Sequence, residues 1–113
     1  MKKQYNQLPQ VAFSILLALS LKERHGYEII KQVVEDSNDK INLSPGALYT
    51  SIKQLLEQKL IEEVIHDDDS RRRYYRLTEN GKTALNAEVD YYQNSVALAR
   101  QRQVVEINYG SYR

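Results

Sequence analysis

Arg71-Arg72-Arg73 followed by Tyr74 is the longest run of positive charge in the chain. Three adjacent guanidinium groups repel one another, and a polyanion laid beside them removes that cost through charge-assisted, often bidentate hydrogen bonds. In extended backbone Arg72, Tyr74 and Arg76 share one face, while Arg71, Arg73 and Tyr75 share the other. A second group is spread over Ser44, Gly46, Tyr49, Thr50, Lys53 and Gln54. At helical spacing these fall on one strip. Thr50 and Gln54 have the donors and acceptors to read base edges, and Lys53 and the Tyr49 hydroxyl suit phosphate or guanine. Ser44, at a helix start, offers its hydroxyl and nearby backbone N–H groups to a phosphate. Asp67-Asp68-Asp69 stands beside the arginines. It reads as a solvated turn pointing outward, which makes the segment a phosphate clamp with an acidic tip. His25 and His66 have no third ligand at metal spacing, so each is expected to have a structural or solvent role, with no metal site and no cofactor. No nucleophile elbow, glycine-rich phosphate loop or paired carboxylates frame the serines and aspartates, and the residues give no sign of an enzyme.

The elements that must carry these groups follow from the apolar spacing. Leu8, Val11, Ala12, Ile15, Leu16 and Leu19 recur at threes and fours, a core-facing helix with Pro9 in its first turn and Gly26 as the break that ends it. A second helix is expected from Tyr27 to Glu35 with Tyr27, Ile30, Val33 and Val34 inward. The third begins at Ser44-Pro45, a capping residue followed by a proline suited to the first helical position, and buries Leu48, Ile52, Leu55 and Leu56. Leu60 to His66 is β-branched and Arg72 to Thr78 alternates, so a two-stranded hairpin is predicted with Asp67–Ser70 as its turn. Thr78 caps a last helix running to about Arg102. Along it Leu85, Val89, Tyr92, Val96 and Ala99 step by four, three, four and three, a short association seam. About 24 residues at 1.5 Å each span roughly 36 Å, more than so small a core covers. The fold class is mostly α (α+β): a winged helix-turn-helix with a two-stranded β wing and a long C-terminal dimerisation helix. Residues 1–78 form the first unit, 79–106 the helix, and 107–113 a frayed tail.

Composition narrows the partners. The 113 residues carry a net charge of only +1, with 42% hydrophobic and 27% charged residues and no cysteine. A nucleic acid must therefore be met by a local basic patch and not by a global field. The absence of cysteine excludes a disulfide framework and fits a reducing cytoplasm. Lys2-Lys3 ahead of Val11–Leu21 resembles a signal peptide only superficially. Pro9 intervenes, Lys22-Glu23-Arg24 follows, and eleven residues are too few to span a bilayer, so no membrane association is expected.

Three motifs in order resemble one family: His25-Gly26-Tyr27-Glu28-Ile29, then Leu43-Ser44-Pro45-Gly46-Ala47-Leu48-Tyr49, then Arg72-Arg73-Tyr74-Tyr75-Arg76-Leu77-Thr78-Glu79 with Gly81. They are similar to the PadR family of transcriptional regulators over about residues 8 to 85, and the single last helix resembles its small subfamily. The resemblance implies a homodimer in which the last helix packs on the partner's helices, the first included, which adds Val11 and Ile15 to the seam. It also implies contacts from Ser44, Tyr49, Lys53, Arg72 and Arg73 to double-stranded DNA. Some small-subfamily members bind flat aromatic drugs in an apolar pore at the dimer centre. Tyr92, with Val89 and Val96, occupies the comparable place, as a tyrosine where drug-binding members have tryptophan. The Gly-Gly common before the family's wing arginines is replaced here by Asp69-Ser70. The expected function is a sequence-specific homodimeric repressor on an inverted-repeat operator, its affinity lowered by a small aromatic or hydrophobic ligand. The competing class is a winged helix that binds ligand or protein without touching DNA.

Overall fold

The computed structural model describes residues 7–66 and 71–103. Its elements are α1 (Gln10–Leu21), β1 (Arg24–His25), α2 (Gly26–Asp36), α3 (Pro45–Glu57), β2 (Ile61–Val64), β3 (Tyr74–Leu77) and α4 (Glu79–Gln101). The expected helix, helix, helix, wing, long helix order is present, with one addition.

The wing has three strands. β3 is central, antiparallel to both neighbours, in the order β1-β3-β2. Arg24 pairs with Tyr75 and His25 with Tyr74 on one side, and Ile61 to Val64 pair with Leu77 to Tyr74 on the other. A lone hairpin is marginal in water. The added strand ties this one to the segment between α1 and α2. β1 also changes the expected role of Gly26, which does not end α1 but starts α2. The end of α1 is instead held by the buried Arg24, whose Nε donates to the Ala18 carbonyl at 2.9 Å, satisfying one of the acceptors a helix end leaves over.

His25 has the structural role expected of it. Its Nδ1 accepts from the Glu28 N–H (3.5 Å) while Glu28 Oε1 accepts from the His25 N–H (3.2 Å), a reciprocal cap on α2. Starting there, α2 buries Gly26, Ile29 and Val33, and Tyr27 is turned outward at 67% exposure. The expected inward Tyr27 is therefore corrected. Both phases of this short helix are apolar, and the cap geometry selects the one through Ile29.

α3 forms as its sequence dictates. Ser44 Oγ accepts from the Ala47 N–H at 3.1 Å, Pro45 occupies the first turn, and Leu48, Ile52 and Leu55 are buried. They meet Ile15 and Leu16 of α1, Ile29 and Val33 of α2, Ile61 and Tyr75 of the sheet and Leu85 of α4 in one core.

α4 is fixed at its start by Thr78, whose hydroxyl accepts from the Gly81 N–H (2.9 Å) and donates to the Lys59 carbonyl (2.7 Å). Gly81 is a close-approach glycine: a Cβ there would fall on the Leu60 carbonyl oxygen and lie 3.0 Å from the Leu60 carbonyl carbon. Further along, the buried Glu88 accepts from the Leu8 N–H at 3.2 Å, joining α4 to the approach to α1. Two members of the expected dimer seam are corrected here. Ile15 has no exposed surface and Leu85 belongs to the same core, so these two side chains are used inside the protomer. Val11, Val89, Tyr92 and Ala99 are half-buried and Val96 is exposed. The predicted acidic turn, Asp67–Ser70, and the tail at 107–113 lie outside the described residues.

Candidate nucleic-acid interface

The outer strip of α3 is presented to solvent. Gly46, Tyr49, Thr50, Lys53 and Gln54 are all exposed, and a Cβ on Gly46 would meet nothing within 4 Å. Thr50 Oγ1 donates to the Gly46 carbonyl at 3.0 Å, which leaves its oxygen as an acceptor toward solvent. Ser44 Oγ accepts from the Ala47 N–H as the helix cap, and its O–H is left to donate outward.

The arginines do not lie in β3 as expected but run into it. Arg71, Arg72 and Arg73 precede Tyr74 and are exposed. Their path carries them back toward α2 and α3. Arg72 Nη1 lies 3.4 Å from His25 Nε2. Arg73 forms a long pair with Glu63 (3.9 Å) and a side-chain hydrogen bond with the Tyr75 hydroxyl. Together with His25, Gly26, Tyr27, Tyr49 and Tyr75 these arginines line a concavity of about 520 Å³. The Tyr49 hydroxyl reaches its floor at Gly26, where an added Cβ would fall on that oxygen. Tyr75 is buried, and its phenol is pushed above the ordinary value by burial first and by Glu63 and Tyr49 next, opposed by Arg73. It keeps its proton at neutral pH and is a donor.

Tyr74, grouped with the arginines in the sequence, is not brought into this concavity. It is half-buried, stacked on His66 (3.7 Å between centroids) and edge-on to His25 (5.3 Å), and His66 pairs with Glu23. These contacts stiffen the sheet. Arg76 likewise turns to Glu62 at 2.7 Å. Tyr27 and Tyr75 line this concavity although the sequence reading does not include them in the site: Tyr27 is expected inward, and Tyr75 is placed only on the strand face it shares with Arg71 and Arg73.

A second concavity, about 690 Å³, lies between α1, the end of α2 and α4. It is lined by Phe13, Leu17, Val33, Ile41, Val89, Tyr92 and Val96 among others. The Phe13 and Tyr92 rings meet at 5.2 Å across it. Among the described residues no group of three or more histidines, cysteines or carboxylates is arranged to hold a metal ion, and no helix is long and apolar enough to cross a membrane.

A three-helix core, a three-stranded wing and an exposed polar helix flanked by arginines define a winged helix-turn-helix DNA-binding protein. Residues 15–87 match the family model of the PadR-like transcriptional regulators, and the chain belongs to that family. It is 36% identical over 76 residues to an uncharacterized protein X of Lysinibacillus sphaericus, covering 65% of this chain and 70% of that one. It is 36% identical over 67 residues to the transcriptional regulator YqjI of Escherichia coli K12, covering 59% of this chain but 31% of YqjI. Its fold is similar to the crystal structure of a PadR family transcription regulator from hypervirulent Clostridium difficile R20291, with a TM-score of 0.72 and 26% identity over 84% of this chain and 99% of that one. The chain is thus a DNA-binding transcriptional regulator, and the family is one of regulators and not of enzymes.

Proposed function

We propose that this regulator is a cytoplasmic homodimeric repressor that presents two copies of α3 to successive major grooves of an inverted-repeat operator, about 34–36 Å apart. Thr50 and Gln54 read bases, and Ser44, Gly46, Tyr49 and Lys53 position the helix. Arg71, Arg72 and Arg73 hold the flanking backbone. The observation that carries this reading is the concavity that unites Tyr49 of α3 with the three arginines. Residues distant in sequence turn cations and hydroxyls to one side of the molecule, while net charge contributes almost nothing. Residues up to 78 act as the DNA-binding unit and those from 79 as the dimerisation helix. Val96, 47% exposed on α4, supports the dimer, since it continues an apolar seam into solvent. The apolar concavity around Tyr92, Val89 and Val96 supports a ligand of small aromatic or hydrophobic character. Such a ligand lowers operator affinity by changing the separation of the two α3 helices through α4.

The test is a mobility shift on the region upstream of the chain's own gene at two salt concentrations. Replacing Lys53 and Arg72 together with alanine is expected to weaken binding about 10- to 100-fold per half-site and to flatten the salt dependence by about two units of slope per half-site, with the dimer intact. Unchanged affinity in the double variant refutes the site. A wild-type chain that shifts no duplex at either salt leaves the non-DNA adaptor reading in its place.

A further inference from the structure

The concavity beside α3 contains more than the DNA reading needs from its arginines. Tyr27, Tyr49 and Tyr75 come from α2, α3 and β3 and line the same space as Arg71, Arg72 and Arg73. Packing does not require this. Tyr27 is mostly exposed, with Lys31 Nζ 5.6 Å over its ring. Tyr75 is a core residue whose ring a phenylalanine would replace, yet its hydroxyl takes a hydrogen bond from Arg73 instead of ending in apolar contact. A phenol that accepts from Arg73 has its own O–H to donate onward.

We infer that this concavity seats one sugar–phosphate unit of the DNA backbone, and that Tyr27 and Tyr75 are two further DNA contacts, donating their hydroxyls to the phosphate that the wing arginines neutralise. The inference rests on the DNA-binding reading above and names the atoms that complete it. The arginines supply charge, and the start of α2 adds the positive end of a helix dipole. Its capping carboxylate, Glu28, is engaged by the His25 N–H, and Glu63 is drawn to Arg73. The raised Tyr75 phenol stays protonated and able to donate beside an anion. About 520 Å³, open on one side, gives room to a backbone unit. Three guanidinium groups and three phenol hydroxyls, with no side-chain amide in the lining to pair with a base edge, favour phosphate. The seat therefore sets the register of α3 without reading sequence itself.

The variants Tyr27→Phe and Tyr75→Phe each remove one hydroxyl and keep the ring. Fluorescence anisotropy is measured on the upstream duplex and on a scrambled duplex of equal length, at two salt concentrations, with a thermal melt of each variant. Each variant is expected to lose about tenfold or more on both duplexes, the size of a hydrogen bond to a charged group. The salt slope should stay as in the wild type, because no charge is removed, whereas Arg71→Ala lowers it by about 0.9 per half-site. Affinities within twofold of wild type, or a loss confined to the upstream duplex, overturn the phosphate seat while DNA binding stands. A wild-type chain that binds neither duplex overturns both. Tyr27 is exposed, so its variant remains decisive even where Tyr75→Phe fails to fold.

Discussion

Gly26→Ala separates a residue that positions the interface from one that only holds the fold. Gly26 is buried at the start of α2. A Cβ there would fall on the Tyr49 hydroxyl and lie 3.1 Å from Tyr49 Cζ and 3.2 Å from Leu48 Cδ2. The obstructed atoms are mostly the tip of a half-exposed side chain, so the phenol swings away and the backbone stays. Alanine gains up to about 1 kcal/mol over glycine in a helix, and the tight approach to Leu48 takes back a similar amount. Thermal stability should therefore change by less than about 1 kcal/mol. DNA affinity should not be spared. A tyrosine hydroxyl bonded to phosphate contributes about 1.5–3 kcal/mol, and each 1.4 kcal/mol is about tenfold. The expected loss is about 10- to 100-fold per half-site, measured by anisotropy on the upstream duplex alongside a thermal melt. Because Gly26 acts through Tyr49, the double variant with Tyr49→Phe should lose no more than either single one. A Gly26→Ala protein that binds within threefold of wild type, or losses that add in the double variant, refutes the reasoning.

At Gly81 the same substitution should have the opposite balance. The obstructing atom is the Leu60 carbonyl oxygen, which is backbone and already accepts from the Thr78 N–H at 3.1 Å. Gly81→Ala is expected to destabilise by about 1–3 kcal/mol net, as overpacking against an unyielding neighbour does. Urea denaturation at one fixed protein concentration checks it, and a stabilised variant, the outcome for an unconstrained helical glycine, counts against the contact. Val96→Glu places a charge in the exposed part of the α4 seam and should convert a dimer to a monomer while leaving the melt of the core cooperative. Light scattering on a sizing column reads this directly, and an unchanged mass removes Val96 from the interface.

Elements governed by neighbours in the chain were legible in the sequence. Ser44-Pro45 and Thr78 place the starts of α3 and α4 because a cap and a proline act within one turn. The α3 strip followed, since its buried stripe leaves one remaining face. β1 was not legible: two residues, Arg24 and His25, with no alternation of their own, become a strand only because β3 pairs with them. Tyr27 was misplaced because α2 carries apolar residues in two phases, and only the reciprocal His25–Glu28 cap selects one. The phosphate seat was illegible as a unit. It gathers residues 25–27, 49, 71–73 and 75, and no spacing rule connects three segments that meet only after folding.

Apolar periodicity states that a face is covered but not by what, and α4 shows where that ambiguity is resolved. Leu85 is in the protomer core, Val89 and Tyr92 are half-covered by α1, and Val96 is 47% exposed. The seam is one pattern that starts in the protomer core and ends in solvent. Its first turns attach the helix to its own domain, through Gly81 at the Leu60 carbonyl and Glu88 at the Leu8 N–H. Among the described residues, nothing covers Val96 in its later turns as the core covers Leu85. A helix anchored so firmly at one end moves with its DNA-binding unit as a rigid arm. In the proposed dimer, a partner gripping the other end, or a ligand wedged beside Tyr92, acts on the separation of the two α3 helices and not on the fold of either.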